Sequence, residues 1–182
     1  MITFDQERPQ DSAEIDALLD AAFGPERLKK SSNILRKNSP ELKALSRVMR
    51  AEGHVVATVR FTPVHVRDAL LAQHADALLL GPLAVDPMMQ GAGLGAELMK
   101  HSLAAVDAAG YERIILVGDQ AYYGGFGFEQ VLPRLITMPG GKDASRLLVR
   151  QQKGVEPLPL LGTVQPGWCS AGRLLPKYLP AA

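Results

Sequence analysis

Apolar and polar positions alternate with a period of two from His54 to Val66, with Val55, Ala57 and Val59 set against Val56, Thr58 and Arg60. That period predicts a strand. A second strand is predicted over Leu42 to Ala51, and the Glu52-Gly53 pair between them marks a hairpin. Further upstream the spacing becomes helical. Ile15, Leu18, Leu19 and Ala22 recur on one face up to about Phe23, and Asp11 or Ser12 is placed to cap that helix. Pro25 suits the first turn of a second helix, Glu26 to about Lys37, which Asn38-Ser39-Pro40 ends. Ile2 to Arg8 reads as a short edge strand.

Ala77 to Val85 is the most apolar run and reads as a central, buried strand. It contains Gly81-Pro82. Proline has no N–H for a sheet ladder, so the strand must bulge or splay there. Pro63 marks a similar irregularity in the strand before it, and Asp68 to Ala75 is the connection. A helix is expected over Gly91 to Ala109, ended by Gly110 in the left-handed conformation. Strand Arg113 to Val117, a short helix or turn over Asp119 to Gly125, and a strand from Phe126 to Met138 follow. Beyond Pro139 the chain becomes rich in proline, with one regular candidate, Ser145 to Gln152. Residues 1–138 therefore read as a core, and 139–182 as a final strand and a surface-hugging tail of the same domain. The order predicts a mixed α/β (α+β) sheet, mostly antiparallel, with hairpins first and one strand–helix–strand crossover later.

Composition narrows the function classes. The chain has 182 residues, enough for one domain, and 20 basic against 19 acidic residues, so no general attraction to nucleic acid is implied. The single cysteine, Cys169, excludes an internal disulfide and a cysteine-built metal site. His54, His65, His74 and His101 have no close metal-ligand spacing, and no catalytic metal is expected. The start, MITFDQERP, lacks the basic-then-apolar pattern of a secretory signal, and no run approaches the roughly 20 apolar residues that span a bilayer. A cytoplasmic protein is expected, with no membrane partner. Trp168 is expected to anchor the tail. Arg27, Lys29, Lys30, Arg36 and Lys37 crowd the second helix; they read as a solvated face, the alternatives being an acidic-substrate entrance or a contact to an adenosine phosphate.

The chemistry concentrates in LLLGPLAVDPMMQGAGLG, Leu78 to Gly95: an apolar strand, an Asp-Pro turn and a glycine-rich loop that opens a helix. The first N–H groups of a helix have no internal partner and carry part of a positive charge, and glycines let a diphosphate approach the backbone. Two frames fit. Gly91, Gly93 and Ala96 satisfy G-x-G-x-x-A, a dinucleotide fingerprint, with Asp119 as its ribose ligand. However, Asp86 to Gln90 separate the strand from the glycines, and a dinucleotide fold needs repeated parallel crossovers where this chain offers one.

The other frame is Gln90-x-x-Gly93-x-Gly95. It resembles the Q/R-x-x-G-x-G/A signature of the GNAT superfamily of acyl-CoA-dependent N-acyltransferases. Leu83-Ala84-Val85-Asp86-Pro87 resembles that family's strand and turn. Ala121-Tyr122-Tyr123-Gly124-Gly125-Phe126-Gly127-Phe128 resembles its tyrosine followed four residues later by Gly-Phe. Leu80-Gly81-Pro82-Leu83 and the double tyrosine look most like the bacterial YhbS-like branch. The resemblance covers about Ile2 to Val131. It implies acetyl-CoA as acyl donor, an amine-bearing acceptor, and a possible homodimer. It also implies that Leu83, Ala84 and Val85 meet the pantetheine arm, which is peptide-like and can pair with a strand edge. By the same resemblance Gln90, Gly91, Ala92, Gly93, Leu94, Gly95 and Ala96 hold the diphosphate.

Acyl transfer to an amine needs a neutral nucleophile, a polarised thioester and a protonated leaving thiolate. By resemblance Tyr123 is the acid; a phenol with pKa about 10 is protonated at neutral pH. Tyr122 is the neighbouring alternative, and the N–H near Val85 is the group expected to polarise the thioester. Some family members carry a glutamate about six residues before the position of Val85, where this chain has Leu79. His65, His74, Asp76 and Asp86 are the substitutes considered for the base, with Asp86 expected to set the turn and Asp119 to cap the short helix. The missing glutamate also motivates a second reading, a non-catalytic acyl-CoA-binding module on the same fold.

Overall fold

The structure is a computed structural model, and it describes residues 1–71, 73–131, 136–141 and 144–167. Trp168 and Cys169 lie outside the described residues. The order is β1 (Ile2–Gln6), α1 (Ser12–Phe23), α2 (Ser31–Lys37), β2 (Arg47–Ala51), β3 (His54–Asp68), β4 (His74–Val85), α3 (Leu94–Ala108), β5 (Arg113–Val117), α4 (Gln120–Tyr123), β6 (Glu129–Gln130), β7 (Ile136–Thr137), β8 (Leu147–Gln151) and β9 (Gly162–Pro166). The main path of the sheet runs β1-β2-β3-β4-β5-β8-β6, and β9 joins it by pairing with β3. Among the described residues only β4/β5 and β7/β9 are parallel. This is the mixed, mostly antiparallel sheet with flanking helices that the sequence pattern predicts.

The β2–β3 hairpin turns on Glu52 and Gly53, both at positive φ (+51° and +91°), as a two-residue turn matched to the strand twist requires. Alternation distributes the core. Leu78 and Ile114 face α3, where Leu98, Met99 and Val106 meet them, whereas Leu79 and Ile115 face the opposite layer with Leu35, Val64 and Leu147. Each such side chain is essentially fully buried and contributes about 2 kcal/mol of transfer free energy. α1 buries Ile15, Leu18 and Leu19 against Val48, Val55 and Ala84.

Five expectations are corrected. The helix expected from Gly91 begins at Leu94, because Gly91 and Gly93 take left-handed φ (+84° and +79°). The second helix is interrupted: Pro25–Lys29 is a 3-10 turn, and Lys30 is extended at the start of α2. Asn33 Nδ2 takes the Leu28 carbonyl that the break leaves without a helical donor. The strand expected from Leu42 begins at Arg47, because Leu45 and Ser46 donate back to the Leu42 carbonyl in a turn. The strand expected from Phe126 to Met138 is two short pieces, since Gly127 turns left-handed (φ +82°); β6 pairs with β8 and β7 with β9. The tail holds a further strand, β9, antiparallel to β3. A Cβ on Gly162 would sit 2.5 Å from the Arg67 carbonyl oxygen, so this approach requires glycine.

Pro63 lies where β3 changes partners, between β2 (paired through Val59) and β9 (paired from Val64), so its missing N–H falls in the gap. Asp11 stands at the N-cap of α1 without a side-chain capping bond. Its carboxylate instead accepts from the Arg8 N–H at 2.7 Å and from Arg50 Nη2 at 2.6 Å.

Candidate active site

β4 and β5 pair only at Leu78–Ile114 and Leu79–Ile115 and then diverge. Against β3, β4 carries one extra residue: Val59 faces Leu83 and Phe61 faces Leu80, which places the bulge at Gly81-Pro82 (Gly81 φ +117°). The Asp86 N–H donates to the Val56 carbonyl of β3 at 2.8 Å. By strand alternation the Ala84 peptide groups also face β3. Leu83 and Val85 therefore turn their N–H and C=O groups to the edge that β5 has left. Ala84 lines the cavity but directs its backbone toward β3.

Asp86 sets the next turn by accepting from the Met88 N–H at 2.8 Å. Gln90 Nε2 reaches back to the Val85 carbonyl at 3.4 Å. Gly91 and Gly93 are left-handed, at φ +84° and +79°. Gly93 is the N-cap of α3, and no side chain caps that helix, so its first N–H groups stay open. A cavity of about 430 Å³ opens there. Every residue expected to contact the cofactor lines it except Ala92, which is exposed. A Cβ on Gly95 would lie 3.3 Å from Tyr122 Oη and 3.4 Å from Val85 Cγ2, so the glycine keeps this cradle clear. The residues fit a diphosphate held by backbone N–H groups.

A second cavity, about 790 Å³, continues past the bulge between Leu80–Leu83 of β4 and Leu116–Asp119 beyond the splay, with α2 along one side. Tyr122 lines both cavities; Tyr123 lines the second. The two rings meet edge to face at 4.9 Å. Tyr123 also packs edge-on to Phe128 at 6.0 Å and lies over Gly118, where a Cβ would come within 2.3 Å of its ring. Burial, with the neighbouring Tyr122 adding to it, pushes the Tyr123 phenol up to about 12. It is therefore held in the protonated form an acid needs.

The base candidates named from sequence lie elsewhere. His65 bonds the Gly167 carbonyl and Gln165 side chain between β3 and β9. His74 and Asp76 stand on the early part of β4, and Asp86 is engaged in its turn. Leu79 is fully buried in the core. Asp119 lines the cavity but caps α4 through the Ala121 N–H at 3.0 Å, which also occupies it against the ribose role of the dinucleotide frame.

Sequence reasoning passed over Glu41. It lines the second cavity, half-buried, with a single ion-pair contact to Arg60 at 3.3 Å; Arg60 gives its two shorter contacts, 2.8 and 2.9 Å, to Glu7. Burial raises the Glu41 carboxyl above the ordinary glutamate range, with Arg60 opposing. No spacing in the chain announces it, because the segment that carries Glu41 is held there by a bond between distant residues, the Leu42 N–H donating to the Phe61 carbonyl of β3 at 2.8 Å.

The profile of the Acetyltransferase (GNAT) family matches residues 12–128, more than half of the chain. The chain belongs to the GNAT acetyltransferase family. Among relatives, the Escherichia coli K12 protein YhbS, described as an uncharacterized N-acetyltransferase, is 34% identical over 123 residues, 68% of this chain and 71% of YhbS. The structure of Escherichia coli YhbS in complex with CoA superposes with a TM-score of 0.68 at 30% identity, covering 90% of this chain and 88% of that one. A Brucella melitensis GNAT family acetyltransferase in complex with acetyl-CoA gives 0.65 at 27% identity, covering 91% and 95%. The splayed β4 edge, the α3 cradle and the tyrosine pair adjoin one another, since the two cavities share Leu83 and Tyr122 in their linings. Among the described residues no helix is long and apolar enough to cross a membrane.

Proposed function

We propose that this GNAT protein moves the acetyl group of acetyl-CoA to a primary amine by direct attack. One observation carries the reading: β4 leaves β5 after Leu79, and the stretch so freed borders both the uncapped start of α3 and the cavity that Tyr123 lines. A diphosphate on the N–H groups of Gln90 to Ala96 places a pantetheine arm along Leu83 and Val85. That arm delivers the thioester beside Tyr123. The CoA and acetyl-CoA complexes of the two relatives support the donor assignment.

The neutral amine attacks the thioester carbonyl, whose oxygen is polarised by a β4 N–H near Val85. The new C–N bond forms as the C–S bond breaks. Tyr123 gives its proton to the departing thiolate, and Glu41 takes the proton released by the amine, directly or through one water. Burial keeps the Tyr123 phenol protonated as a donor, and it makes the ionised Glu41 carboxylate a stronger proton acceptor than an ordinary glutamate.

The test is thiol release from acetyl-CoA across a panel of primary amines, with the acetylated product identified by mass spectrometry. Amine-dependent release with product formation is the expected result. Binding of acetyl-CoA without turnover on any amine assigns the fold to a non-catalytic acyl-CoA-binding module instead.

A further inference from the structure

The two cavities differ sharply in charge. The cradle at α3 has no charged side chain in its lining. Around the second cavity, six cationic side chains stand against three carboxylates. The basic cluster of the second helix is therefore not simply a solvated face: Arg27, Lys30, Arg36 and Lys37 all line this cavity, whereas Lys29 pairs outward with Glu26 at 2.9 Å. Arg27 is engaged by Asp20 at 2.7 Å, and Arg60 by Glu7 and Glu41. Arg36 has no carboxylate within salt-bridge distance among the described residues, and Glu41 acts on it only at longer range.

Arg36 is also held for a purpose. Its Nε donates to the Gly81 carbonyl at 2.9 Å and its Nη1 to Ser32 Oγ at 3.3 Å. Its Nη2 has no hydrogen-bond partner among the described residues and sits 3.1 Å from the place of a Gly81 Cβ, against the bulge. Two anchored donors orient the fork, and the rest of it is open to the cavity. Burial pulls this guanidinium down to about 10, the mark of a desolvated cation that an arriving anion would relieve. Gly81 lies four residues before Val85 on β4, roughly 13 Å at a strand's rise, and so on the far side of the thioester from the diphosphate cradle.

A simple amine, a cation in solution, is repelled by such a lining. Resting on the acetyltransferase reading above, we infer that the acceptor is an amine that also bears an oxyanion, carboxylate or phosphate, which docks on the free edge of Arg36. The guanidinium fork matches either oxyanion, and it holds the nitrogen toward Tyr123 and Glu41.

The test uses matched pairs with the full protein and saturating acetyl-CoA: tyramine against tyrosine for a carboxylate, and ethanolamine against phosphoethanolamine for a phosphate. The anionic member of at least one pair is expected to give a kcat/KM about tenfold to a hundredfold above its neutral partner, the range of a charge-assisted hydrogen bond. Which pair shows it identifies the oxyanion. Arg36→Gln should raise KM for that anionic amine rather than lower kcat, and should shrink the preference to within about threefold. The wild-type comparison stands by itself if that variant does not fold. Neutral members that react as well as or better than anionic ones overturn the inference and leave the acetyltransferase reading intact. Absence of turnover on every amine, with acetyl-CoA bound, overturns both.

Discussion

Replacing Tyr123 by phenylalanine removes one oxygen and leaves the ring. The ring contacts with Phe128 and Gly118 persist, and no hydrogen bond from the hydroxyl is present among the described residues, so stability should change by less than about 0.5 kcal/mol. Binding of acetyl-CoA should stay within about threefold, because the diphosphate and pantetheine contacts lie on α3 and β4. The loss should fall on kcat. General acid catalysis is worth about 10² to 10⁴ in rate; thiolate is a tolerable leaving group, which places the expected fall near 10²-fold, about 2.7 kcal/mol in the barrier. With the phenol near 12, the wild-type rate should show no basic limb from Tyr123 between about pH 7 and pH 10. The assay is stopped-flow thiol release with saturating amine, alongside thermal unfolding of both proteins. A Tyr123→Phe protein with wild-type kcat refutes the acid role. If Tyr122→Phe carries the loss instead, the hydroxyl over Gly95 is the proton donor.

Glu41→Gln should lower kcat/KM by about 10²-fold and remove the step that in the wild type falls off as pH drops through a carboxyl raised above the ordinary glutamate range, leaving only the acceptor amine's own ionisation; a carboxyl step that survives in the pH–rate profile rejects Glu41 as base. Gly118→Ala places a methyl 2.3 Å from the Tyr123 ring and 2.8 Å from Leu116, so it should cost about 1–3 kcal/mol in denaturant unfolding and reduce kcat by displacing the ring. Asp11→Ala removes the 2.6 Å partner of buried Arg50 and should destabilise by about 3 kcal/mol with kcat/KM unchanged. Burial opposes ionisation of Asp11, but Arg50 and the Arg8 N–H outweigh it and hold its carboxyl below the usual range. Its contribution is therefore present above the unfolded-state pKa and lost as pH falls through the lowered folded value. Wild type and Asp11→Ala should converge in acid-unfolding curves.

The elements that position the cofactor were legible because their signals are local. The Asp-Pro turn and Gly81-Pro82 in an apolar strand each dictate backbone geometry within a few residues, and each stands as read. β9 was not legible: its one deeply buried apolar side chain, Val164, is flanked by Gly162 and Pro166, and its pairing with β3 spans nearly one hundred residues of sequence. The break at Lys30 was hidden because the helical composition of Glu26 to Lys37 is continuous, while the kink depends on Asn33 reaching the Leu28 carbonyl. Glu41 and Arg36 were unreadable as a pair for a related reason. They converge only when the Leu42 N–H bonds Phe61 of β3 and Arg36 bonds Gly81 of the neighbouring β4.

The central claim is that one groove joins a diphosphate cradle to an acid beside the thioester. Calorimetric titration with acetyl-CoA, repeated on a Gly95→Val protein and with NAD as the competing dinucleotide, tests it most directly. The predicted result is saturable acetyl-CoA binding to the wild type. It should weaken at least tenfold when a side chain enters the cradle between Tyr122 Oη and Val85 Cγ2, with no comparable binding of NAD. Tight binding of NAD alone, or acetyl-CoA binding indifferent to Gly95→Val in a folded protein, would contradict it.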